Sequence, residues 1–181
     1  MKQNQAMGNN QRKVSNKELA QIYYATHISY SNAGELLIRE YNHLMTNSVD
    51  DGEHAWYWEL IRPALHNRYI SLELGLKGII VLQNQAIPKT HCLKILLSKI
   101  PELSNFKDND VFKKINDIIK RTRYLFENHE DPNEVDLYFE GDHMGNRYVL
   151  LNFYESPMNR SVIDALSNEI DKIYSKHGIE L

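Results

Sequence analysis

The chain has 181 residues, with 21 basic against 24 acidic side chains, a formal net charge of −3 and one cysteine. This is one domain's length, enough to bury roughly two thirds of the unfolded surface, so neither disulfides nor a structural metal is needed for folding. The near-neutral balance excludes a global electrostatic pull on nucleic acid and leaves phosphate binding to local basic patches, while the lone Cys92 excludes an internal bridge and points to a reducing compartment.

Residues 1–14 are rich in Gln and Asn without periodicity and read as a disordered tail, so that a single domain is expected over 15–181. The opening "MKQNQAMGNNQRK" has no apolar core of the secretory kind. No apolar run reaches the roughly 18 residues of a membrane span. A cytoplasmic protein without membrane contact is the expectation. Ser15 and Glu18 then fit a capping box. Behind them Leu19, Ile22, Tyr23, Thr26, Tyr30, Ala33, Leu37, Tyr41 and Leu44 recur at spacings of three and four, which predicts a long amphipathic helix ending near Asn47.

After the turn "NSVDDGEH" a second helix is expected from about Glu53 to Gln85, interrupted at Pro63 by a kink or a new start. Leu65, Tyr69, Leu72, Leu76 and Ile79 mark its inward face, and Ile70, Leu74, Ile80 and Val81 widen it, so this is the central helix. Gly75 and Gly78 lower its helix propensity but let a neighbouring backbone come close. A short helix is expected at 91–100, with Thr90 as N-cap and Pro101 just past its end. A fourth, carrying Val111, Ile115, Ile118, Ile119, Leu125 and Phe126, should run from Asp108 to Asn128. The period then shortens to two in "VDLYFEGDHMGNRYVLLNFY", which predicts a β-hairpin at 135–154. A last helix at 159–176 places Val162, Leu166, Ile170 and Ile173 or Tyr174 on one face. The fold class is all-α: an up-and-down bundle of about five helices with a small hairpin before the last one.

The join between the second and third helices, "LELGLKGIIVLQNQAIPKTHCLKILL", resembles the central signature of HEPN domains (higher eukaryotes and prokaryotes nucleotide-binding). That family has a small-and-apolar helix around Glu and Lys, then a Thr-His-x-Leu step, matched here by Thr90, His91 and Leu93. Cys92 stands where the family often has Asp. The resemblance implies a helical bundle that often forms homodimers and that occurs in toxin, phage-defence and RNA-processing proteins. Some members are metal-independent ribonucleases whose site pairs an Arg with a His four to six residues later. In this chain Arg123 and His129 have that spacing, in "RYLFENH". An Arg can hold a phosphate and stabilise its developing charge, and a His can move the 2′-hydroxyl proton near neutral pH. On an unbroken helix six residues put the two side chains about 240° apart, so the helix ends before His129 or the groups meet across a dimer.

Lys120 and Arg121 beside that pair, with Lys77 and His91 at the helix join, are the candidates for nucleotide or RNA binding. Lys77 is expected to lay its stem along the bundle and reach outward with its ammonium group. A second reading of "RTRYLFENH" stays open, in which Arg121, Arg123 and His129 complement the negative end of a helix dipole. No HxxxH or HExxH pair lies on one helix face, Cys92 has no thiolate partner and no Gly-rich loop precedes a helix, so no metal site and no cofactor are expected. Trp56, Tyr57 and Trp58 suit core or interface packing better than base stacking. Three functions fit: an endoribonuclease of a toxin or phage-defence system, with an antitoxin protein as partner; an inactive HEPN module binding a nucleotide, RNA or protein; or a plain helical interaction protein.

Overall fold

A computed structural model describes residues 14–47, 54–115 and 157–180, with only the helix path given for 54–59, 62, 157 and 158. The described chain is all-α. It comprises α1 (Asn16–Asn47), α2 (His54–Leu82), α3 (Leu93–Leu97), a 3₁₀ turn (Pro101–Phe106), a helical stretch at 110–115 and α4 (Pro157–Lys176). The tail before residue 14 and the hairpin expected at 135–154 lie outside the described residues, as does the helix expected at Asp108–Asn128 beyond residue 115.

α1 begins where its capping box requires. The Ser15 backbone N–H donates to Glu18 Oε2 at 2.9 Å and the Glu18 N–H donates back to Ser15 Oγ at 3.2 Å, satisfying two donors of the first turn. These bonds to its ionised form hold the Glu18 carboxyl below the usual carboxylate range, the Ser15 backbone bond most of all. The buried stripe of α1 is narrower than its apolar pattern suggests. It runs Ala20, His27, Gly34, Tyr41, one residue in seven, and two of these four are too small to hold a neighbour at ordinary distance. Ile22, expected inward, is instead 58% exposed, and Leu36 is also outward. A stripe of small residues seats α1 so close on α2 that positions to its flanks are lifted clear.

The two helices run antiparallel. Asn16 bonds Asn84, His27 meets Ser71 and Ser31 meets Arg68, so the α2 number falls as the α1 number rises. α2 continues through Pro63, which forfeits one backbone hydrogen bond without ending the helix. Ile61, Ala64 and Leu65 around it are buried, and that packing holds the turn in place. The half of α2 that follows is buried on most of its circumference, including Tyr69, Leu72, Leu76, Ile79 and Ile80, as a central helix must be. α4 lies on it in the parallel sense and contributes Ile163, Leu166, Ile170 and Tyr174 to the core, with Val162 packed against its margin.

Gly75 and Gly78 admit side chains rather than a backbone. A Cβ on Gly75 would meet Ile170 Cγ2 at 2.9 Å and His27 Nδ1 at 3.0 Å, and one on Gly78 would fall on the hydroxyl of Tyr174 and within 2.7 Å of Tyr23 Cβ. Tyr174 is fully buried and donates its hydroxyl hydrogen to the Gly75 carbonyl at 3.0 Å. Just past the end of α4, Gly178 takes φ +65°, the left-handed conformation common after a helix C-terminus, and Ile179 folds back into the core.

The third helical segment is shorter than expected. α3 covers only Leu93–Leu97, with Cys92 rather than Thr90 at the N-cap and no side-chain cap bond. Thr90 Oγ1 instead accepts the Cys92 N–H at 3.1 Å, tightening the turn that leads into the helix. Pro101 stands inside the first turn of the 3₁₀ segment, where its missing N–H has no partner to lose.

Candidate functional site

The polar residues at the join of α2 and α3 converge on one carboxylate. Glu73, on α2, is 5% exposed. Its Oε1 accepts from Lys77 Nζ at 2.6 Å, and His91 Nδ1 lies 2.9 Å from Oε1 and 3.1 Å from Oε2. Glu and Lys four apart in this order share a helix face and suit the helix dipole. The long stem of Lys77 is thus bent back one turn instead of carrying its ammonium outward, and its side chain is only 13% exposed. A buried carboxylate without a cation is costly, and that pull overrides the tendency of the ammonium to seek water.

His91 reaches Glu73 because the chain turns sharply after α2. Asn84 takes φ +57° and the Gln85 N–H closes back on the Ile80 carbonyl at 3.1 Å, a helix-ending turn that Asn tolerates better than most residues. The return is pinned from α2 by Tyr69, which is buried and donates its hydroxyl hydrogen to the His91 carbonyl. A carboxylate only accepts, so the Nδ1 facing it carries the hydrogen and Nε2 is left for another partner. The His91 side chain is 53% exposed. An imidazole oriented by a buried carboxylate can take up a proton at its other nitrogen and can donate that hydrogen to a phosphate oxygen.

Of the residues singled out in the sequence, Lys77 and His91 are therefore brought together through Glu73. Lys120, Arg121, Arg123 and His129 lie outside the described residues. Two polar groups at the heart of the helix packing carry no motif. Arg68, 7% exposed, spans three helices: its guanidinium donates to Ser31 Oγ at 2.9 Å, pairs with Glu35 Oε1 at 3.2 Å and bonds Asp164 Oδ1 on α4. His27 is fully buried between α1 and Ser71 of α2. The one signal for both was a polar residue within an apolar helical pattern. Among the described residues no three His, Cys, Asp or Glu side chains group as a metal site, and no helix is long and apolar enough to cross a membrane.

An antiparallel helix pair closed by a third helix, with a Glu, a Lys and a following His knotted at the turn, defines an all-α bundle domain built around its second helix. The family model of the HEPN domain matches residues 58–138, and this match supports a HEPN domain assignment for that segment. The match takes in Glu73, Lys77 and His91 and extends over positions 120–129, while α1 and α4 lie outside it. No curated protein and no solved structure matches the chain.

Proposed function

We propose that this chain is a metal-independent endoribonuclease of the HEPN type, with Arg123 and His129 as its catalytic residues. The observation that carries the reading is that the HEPN match at 58–138 includes the chain's Arg and His at a spacing of six. His129 takes the proton from a ribose 2′-hydroxyl, the freed oxygen attacks the adjacent phosphorus, and the bond to the 5′-oxygen of the next nucleotide breaks, that oxygen taking a proton from water while His129 returns its own to solvent. The products are a 2′,3′-cyclic phosphate and a 5′-hydroxyl. Arg123 offsets the negative charge that grows on the non-bridging oxygens. This route needs no metal, because the nucleophile belongs to the substrate.

Lys120 and Arg121 extend the positive charge along the RNA backbone. His91, aimed by Glu73, is a further donor to phosphate, and Lys77 keeps the charge of Glu73 neutralised behind it. The active unit is a homodimer, in which the two residues of a pair six apart meet across the interface. The setting is a toxin or phage-defence system restrained by an antitoxin protein. Purified wild type should cut single-stranded RNA, and Arg123→Ala and His129→Ala should each remove cutting at unchanged helical content. For His129→Ala the loss should be about 10²- to 10⁴-fold, the usual size of a proton-transfer contribution. A His129→Ala variant as active as wild type would overturn the assignment. Salt-sensitive RNA binding without any cutting by wild type would make the chain a binding module instead.

A further inference from the structure

The stretch between Glu73 and Glu102 holds no acidic residue, in a chain with 24 of them, and it carries Lys77, Lys89, His91, Lys94 and Lys99. The structure gives these charges different tasks. Lys77 turns inward to Glu73, and the pair offers no net charge to solvent. Lys89 and Lys94, two residues before His91 and three after it, are exposed, and Lys89 pairs with no acid among the described residues. Lys94 meets Asp108 Oδ1 at 3.3 Å, but Lys107 approaches the same carboxylate at 4.0 Å, so two lysines share one acid. With the Lys94 and Asp108 side chains 62% and 72% exposed, that pair is a surface bridge that water and salt loosen.

The join that presents them is held from several sides. Tyr69 bonds the His91 carbonyl, Thr90 Oγ1 accepts the Cys92 N–H at 3.1 Å, and Leu93 and Leu96 anchor α3 in the core. Pro88 fixes one backbone angle just before Lys89. Connectivity alone keeps the Cα atoms of Lys89 and Lys94 within roughly 7 and 10 Å of that of His91, so the three side chains address one short length of ligand. Order present before binding need not be imposed by the ligand.

These side chains suit one chemistry. Lysine ammonium groups donate and accept nothing, which matches a backbone whose outward atoms are phosphate oxygens. A peptide strand would bring N–H donors for which the lysines offer no acceptor. We infer that the α2–α3 join holds a single RNA strand by its phosphates, with Lys89 and Lys94 contacting those on either side of the one that meets His91. The inference rests on the RNA reading of this chain and adds to it a strand-holding surface within the described residues, separate in sequence from Arg123 and His129. Lysines on phosphates position a strand without reading its bases, so binding here is indifferent to sequence.

Fluorescence anisotropy of the full-length protein with a short 2′-O-methylated RNA, which cannot be cut through its 2′-oxygen, reads the contacts when repeated over a range of salt. Each single-strand phosphate contact contributes about 0.7 to the slope of log affinity against log salt. Lys89→Gln and Lys94→Gln should each lower that slope by about 0.7, and together by about 1.4, at unchanged circular dichroism. Lys172→Gln, at an exposed lysine of α4, should leave it as in wild type. Slopes unchanged in both join variants would overturn the inference, as would wild type that does not bind the RNA. Displacement of the RNA by inorganic phosphate or a mononucleotide at equal phosphate concentration would assign the site to a free anion, and displacement by polyglutamate at equal charge would assign it to an acidic protein; either result overturns the strand. Cutting of unmodified RNA is scored separately. Wild type that binds through these lysines without cutting removes the nuclease reading and leaves the strand-holding surface, and cutting with unchanged slopes does the reverse.

Discussion

Gly78→Ala sets helix propensity against packing, and the two predict opposite signs. On propensity alone Ala should stabilise the interior of α2 by about 1 kcal/mol. The structure leaves no room for the added methyl: it would fall on the Tyr174 hydroxyl, 3.0 Å from Tyr174 Cζ and 2.7 Å from Tyr23 Cβ. Tyr174 is fully buried and cannot withdraw without giving up its bond to the Gly75 carbonyl. Overpacking of this kind costs roughly 1–3 kcal/mol and a lost hydrogen bond about 1 more, so the net effect is destabilisation of about 1–3 kcal/mol. Urea titration followed by circular dichroism should show a lower midpoint at an unchanged slope. Adding Tyr174→Phe, which removes the oxygen the methyl strikes, should cost less in the Gly78→Ala background than in wild type. Gly78→Ala at or above wild-type stability would refute the packing described for α1, α2 and α4.

Three further outcomes follow from named contacts. Arg68→Ala should destabilise the fold by about 2 kcal/mol in the same titration, less than a fully buried ion-pair break because Glu35 and Asp164 can turn to solvent. Glu73→Ala strands the Lys77 ammonium at 13% exposure and should cost about 2–4 kcal/mol, much of it recovered in the Glu73→Ala, Lys77→Met double variant. The pKa of the Tyr24 hydroxyl is pushed up to about 12, by burial first and then by the charge of Asp171. Because the native state holds this proton more tightly than the unfolded chain, the stability it contributes is complete below the ordinary tyrosine range and is lost as pH rises through about 12. Phenolate absorbance should show a late-titrating tyrosine that Tyr24→Phe removes.

The helices were legible because their signals are local. The Ser15–Glu18 box and the apolar spacing of α2 and α4 are each written within a few turns of chain. What could not be read was decided between helices. The periodicity of α1 placed Ile22 inward alongside Tyr41 and passed over Ala20, His27 and Gly34, and only the close seating on α2 reverses that order. Lys77 and His91 were visible as candidates, but while Lys77 meets Glu73 one turn along α2, that His91 answers to the same carboxylate depends on an Asn84 turn that brings the chain back over eighteen residues. His27 and Arg68 carry no motif at all. Their meaning lies in partners far along the chain, Asp171 and Asp164 on α4.

The central claim is metal-independent cleavage of RNA, and the chemistry of the cut ends tests it most directly. Purified wild-type protein, incubated with single-stranded RNA in excess chelator, should yield fragments whose 3′ ends are 2′,3′-cyclic phosphates and whose 5′ ends carry hydroxyls, with Arg123→Ala and His129→Ala inert under the same conditions. Cleavage that stops when metal is removed would contradict metal independence, and fragments that end in a 3′-hydroxyl with a 5′-phosphate would contradict attack by the 2′-hydroxyl, because those ends require water as the attacking group.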